Sequence, residues 1–78
     1  MITVGTLLIL EEHTHTYQMI VLAHFPVFFN DQELWHYELN FFRDGVNMGT
    51  LALDEIELDK LINNGEIKIL SRGKHEDF

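Results

Sequence analysis

Residues 34–53 read LWHYELNFFRDGVNMGTLAL, and they restrict the possible folds more than any other stretch. Trp35, Tyr37, Leu39 and Phe41 alternate with His36, Glu38, Asn40 and Phe42, the period of two expected of a strand with two unlike faces. Asp44 and Gly45 then supply the residue pair favoured in tight two-residue turns, and residues 46–53 resume strand character. The segment predicts an antiparallel hairpin. An isolated hairpin is marginal in water, so the rest of the chain must supply more strands or a helix to cover its apolar side.

The remaining segments fit that requirement. TVGTLLIL at residues 3–10 is β-branched and apolar, with a glycine that suggests a bulge or bend. TYQMIVLAHF at residues 16–25 is again strand-like, with an apolar run that is nearly continuous, as where both faces are covered or a sheet curls on itself. Between them EEHTHT, residues 11–16, reads as a polar hairpin connection. PVFFNDQE at residues 26–33 opens with the only proline and ends in turn formers, which predicts a loop whose Phe28 and Phe29 either fold back on the core or stay exposed. One helix is expected from Glu55 to Asn63. Asp54 caps it, Glu57 completes a capping box, Leu58, Leu61 and Ile62 share a face, and Gly65 stops it. A last strand covers Glu66 to Leu70, and SRGKHEDF is a polar tail expected to fray. The order is β-β-β-β-α-β: one β-rich domain at residues 1–70 with a tail at 71–78, in the α+β class, built as a strongly curved antiparallel sheet or a small SH3-like barrel.

Composition narrows function. The chain has no cysteine, which excludes disulfides, thiolate metal sites and cysteine nucleophiles and fits a reducing, cytoplasmic setting. MITVGTLLIL has no basic flank and meets Glu11 and Glu12 at once, so it is expected to be a strand and not a signal peptide or a membrane span. The formal charge is −8, and residues 1–59 hold ten acids against a single base, Arg43. Such a body repels phosphates and attracts basic protein surfaces, so neither nucleic acid nor an anionic membrane is an expected partner.

Candidate chemistry is sparse. His13 and His15 are two apart and, with Glu11 or Glu12, offer nitrogen and oxygen ligands to a metal, with His24 and His36 as the only distant partners. A hairpin tip is the simpler reading, because a tight site needs three or four fixed ligands; no metal or other cofactor is expected. Glu38, Asp44, Asp54 and Glu57 suggest an acid/base pair only until turn and capping roles absorb them. The glycines form no phosphate loop and the only serine is Ser71, so no enzyme is expected. Trp35, Tyr37 and Phe41 at strand spacing are expected in the core, which leaves Phe28, Phe29 and Phe42 for a partner or for self-association. Asp54, Glu55, Glu57 and Asp59, with Asp31 and Glu33 elsewhere, form the acidic surface that would meet a basic partner, either as a solvated helix face or as an imitation of phosphate spacing.

In size, acidity, lack of cysteine and strand-rich aromatic content, the whole chain resembles the small inhibitors and accessory proteins that phages make against host enzymes or defence systems. The resemblance lies in composition, so it assigns no residue a role. It implies a non-enzymatic protein-binding domain that regulates or inhibits a basic, even nucleic-acid-binding, partner in the host cytoplasm. The alternatives are a structural homo-oligomer or assembly subunit, and a small protein that sequesters a nucleotide-like ligand between subunits.

Overall fold

The computed structural model describes residues 2–73. It contains β1 (Leu7–Glu11), β2 (Thr16–Phe29), β3 (Gln32–Arg43), β4 (Val46–Asp54), α1 (Glu55–Asn63) and β5 (Ile67–Ser71). The element order is the one expected from the sequence. The strands form one sheet in the order β4-β3-β2-β1-β5, with every neighbouring pair antiparallel. β4 and β5 are its two edges, so the sheet is open and does not close into an SH3-like barrel. The fold is mostly β with one short helix, which carries the chain from one edge of the sheet to the other.

Two-residue turns with positive φ join β2 to β3 and β3 to β4. Asp44 (φ 50°) and Gly45 (φ 84°) form the two-residue turn of the β3–β4 hairpin. Asn30 (φ 51°) and Asp31 (φ 60°) do the same between β2 and β3, which corrects the expectation of a loop over residues 26–33. Pro26 to Phe29 instead extend β2, and Gln32 and Glu33 begin β3. The proline is tolerated within the strand, where it pairs with Trp35.

Irregularities in register decide which side chains face the helix. Up to Val21 the odd residues of β2 pair with the odd residues of β3: Met19 with Phe41 and Val21 with Leu39. A bulge then adds one residue between Val21 and Ala23, and from there His24 pairs with Tyr37 and Pro26 with Trp35. The core-facing parity of β2 therefore changes from odd to even at Leu22. The run MIVLA spans this change: Met19 and Val21 face the core, Ile20 and Ala23 face the other side, and Leu22 is the extra residue at the bulge.

The core lies between α1 and one face of the sheet. Leu8, Met19, Val21, Tyr37, Leu39 and Ile67 come from the sheet, and Leu58 of α1 and Ile2 of the N-terminal segment close over them. Leu58 is fully buried, and its burial is worth about 1.5–3 kcal/mol. Asp54 caps the helix, its carboxylate accepting the Glu57 N–H at 2.8 Å. No bond returns from the Glu57 side chain among the described residues, so the cap is single and not a box. Gly65 at φ 84° ends the helix, donating to the Ile62 carbonyl.

Two further expectations are corrected. Trp35 is not a core residue: it is 38% exposed, because β3 runs past the end of the helix at that point, whereas Tyr37 and Leu39 beneath α1 are fully buried. The start of the polar tail is held in place. Ser71 belongs to β5, and the Gly73 N–H donates to the buried Thr6 hydroxyl at 2.9 Å while its carbonyl accepts from Thr3. Residues 74–78 of that tail lie outside the described residues.

Candidate protein-binding surface

The β2–β3 hairpin projects beyond α1, and the notch between its stem and the helix N-terminus brings together Glu33, Trp35, Asp54 and Glu55 of the residues the sequence singled out. This notch is small, about 140 Å³, and is lined by Glu33, Leu34, Trp35, Asp54, Glu55 and Ile56. Ile56, on the first turn of α1, is 63% exposed, and Phe28, paired with Glu33 at the hairpin end, is 70% exposed. By register Phe28, Glu33 and Trp35 share the helix-side face of the sheet. Three apolar side chains thus stand in water around a rim of carboxylates.

The carboxylates are not equivalent. Asp54 is engaged as the helix cap, and Glu33 accepts from the Trp35 indole N–H, which fixes the ring against its own strand. Glu55 Oε2 lies 2.6 Å from His24 Nε2 in a partly buried contact. The His24 ring stacks at 4.3 Å on Tyr37 and lies 4.7 Å from Trp35, so a chain Trp35–His24–Tyr37 with Glu55 ties the hairpin to the start of α1. Glu57 and Asp59 project from the exposed side of the helix. Among the described residues, both close contacts between a basic group and a carboxylate involve histidine, and no Lys or Arg approaches Glu57 or Asp59. Lys60 is the one base on the helix itself, three residues after Glu57.

Tyr37 responds to the same surroundings. Burial pushes its phenol above the ordinary value, opposed by the bond from the Ile2 N–H at 3.3 Å and reinforced by the nearby charges of Glu55 and Asp59.

The other candidates fall elsewhere. Asp31 occupies the hairpin turn, next to Glu33. Phe29 and Phe42 lie on the opposite face of the sheet from Phe28, so the proposed aromatic set is split between two surfaces. His13 is exposed at the tip of the β1–β2 connection, as a hairpin-tip residue should be, while His15 is drawn away from it: its Nδ1 lies 2.7 Å from Asp44 Oδ2. Asp44 also accepts the Thr16 N–H at 3.0 Å, and that bond first, then His15, holds its carboxyl below the usual carboxylate range. No group of three His, Asp or Glu side chains stands close enough to hold a metal among the described residues. A wider cleft of about 460 Å³ runs along β1 and the turn after α1, but its charged lining is Glu11, Glu12 and Glu66 against Lys68. That balance disfavours a phosphate-bearing ligand.

Sequence reasoning named His24 only as a distant metal partner and missed Ile56. A histidine inside an apolar run, and an isoleucine on the first turn of an otherwise acidic helix, are the signals that were there to read. No family model, curated protein or solved structure matches the chain. None of the described helices is long and apolar enough to cross a membrane.

Proposed function

We propose that the chain is a non-enzymatic protein-binding domain that regulates or inhibits a basic partner, docking the helix–hairpin side of the sheet on it. The observation that carries this is the notch where exposed Trp35 and Ile56 meet Glu33, Asp54 and Glu55, with exposed Phe28 paired to Glu33 at the hairpin end and exposed Glu57 and Asp59, in no salt bridge among the described residues, on the same helix. Apolar anchors inside a charged rim are how protein-binding surfaces combine affinity with partner choice. The compositional resemblance to phage-made inhibitors supports the same reading, and with it a site of action in the cytoplasm of a host cell. A nucleic-acid-binding protein is a natural target, because its basic groove fits a helix carrying Glu57 and Asp59.

Capture from cell lysate on the immobilised protein tests this. A basic protein retained at low salt and released at high salt, where charge attraction is screened within a few ångströms, is the expected result. Retention that Glu57→Lys with Asp59→Lys leaves unchanged would remove the acidic surface from the account.

A further inference from the structure

The sheet face turned away from α1 has no covering element among the described residues, yet large apolar residues lie on it beside polar ones such as Gln18, His36, Asn40 and Thr50. By register Leu7, Ile9, Ile20, Phe25 and Phe42 lie on it, sheltered only by one another, and Val27, Phe29 and Leu34 extend it along the hairpin, each more than a third exposed. Its charged residues are Glu11, Glu38 and Asp54 against Lys68, and Asp54 at its corner is turned to the helix cap.

We infer that a second copy of the chain covers this face, the two sheets packing face to face around a two-fold axis with both helices outside. Area permits it. Five strands about 4.8 Å apart, along roughly 25 Å of strand, present on the order of 600 Å² per copy. Two copies would bury on the order of 1,200 Å², the lower end of what a specific interface needs. Apolar content favours a copy over the basic partner proposed above, because Leu7, Ile9, Ile20, Phe25 and Phe42 offer a charged surface nothing to pair with. Stacked sheets lie about 10 Å apart and each helix about 10 Å beyond its own sheet, which sets the two acidic helices roughly 30 Å apart, several Debye lengths at physiological ionic strength. The apolar residues of the face meet their own like, as an isologous contact requires. The dimer would be a β-sandwich presenting two acidic surfaces in opposite directions.

Sedimentation equilibrium of the whole chain, from about 1 to about 500 µM, tests this without any partner, so it stands or falls independently of the binding role. The expected result is a species of twice the 9.2 kDa chain mass whose affinity holds or rises with salt. Ile20→Thr with Phe42→Thr, β-formers in place of apolar contacts, should weaken it by at least about tenfold. Gln18→Lys with Ala52→Lys, at exposed positions of the same face, should do the same and decides the matter if the threonine variant does not fold. Glu57→Lys with Asp59→Lys should leave the dimer intact. A wild type that stays at 9.2 kDa, a dimer indifferent to the lysine pair, or one lost in the helix variant would each overturn the inference.

Discussion

Gly73 shows how a single residue joins the two ends of the chain. A Cβ at this position would lie 2.0 Å from the Val4 carbonyl oxygen, a backbone atom that cannot swing aside. Only glycine lets the segment after β5 lie against Thr3 and Thr6 and bond the buried Thr6 hydroxyl. Gly73→Ala should therefore lower the unfolding free energy by about 1–3 kcal/mol in urea titration. Asp44 makes a different kind of prediction. Its carboxyl titrates lower in the folded chain than in the unfolded one, so it adds stability above its unfolded value, and that contribution is lost as pH falls through the folded value. Asp44→Asn keeps a side-chain oxygen for the Thr16 N–H and tolerates the positive φ, but removes the titration. Its melting temperature should decline less than that of the wild type between about pH 5 and about pH 2. Asp44 was legible as a turn residue from its place before Gly45; the clash at Gly73 was not, because nothing local marks a residue whose constraint comes from a segment 70 positions away.

Elements differ in how openly the sequence declares them. The helix was fully legible in its bounds, since Asp54, Leu58 and Gly65 each carry a local signal for cap, buried face and stop. The β2–β3 hairpin was not, because Pro26 and Asn30-Asp31 resemble an irregular loop, and pairing between strands of 14 and 12 residues settles what local preference leaves open. Its turn is less than ideal, since Asp31 holds φ 60° where glycine sits without strain. Asp31→Gly should raise the melting temperature, with a gain of up to about 1 kcal/mol. Packing gives a second contrast. Leu58→Ala empties the one fully buried position of α1 and should cost about 2–5 kcal/mol. Trp35→Ala should cost less than Leu58→Ala in the same urea titrations despite the larger side chain, because its ring stays partly in water beyond the helix end. Equal losses would place Trp35 back in the core.

The whole molecule is one sheet with two unlike sides. Alternation along β3 announced two faces, but it did not say that β2 changes parity at Leu22 or that the helix shelters only one side, since both depend on long-range pairing. The candidate site was legible by type, as acids and leftover aromatic residues, but not by grouping: Phe28 joined the acidic side while Phe29 and Phe42 went to the other. Trp35 is the only tryptophan and lines the notch between hairpin and helix, so its emission reports directly on that side. The most direct test is to titrate the protein with an arginine-rich peptide and follow Trp35 emission at low and high salt, in the wild type and in Glu33→Lys with Glu57→Lys. The account predicts a saturable spectral shift at low salt that fades at high salt and is absent in the variant. An emission spectrum that does not move, or that moves equally in the variant, would contradict the claim that this side of the sheet binds a basic partner.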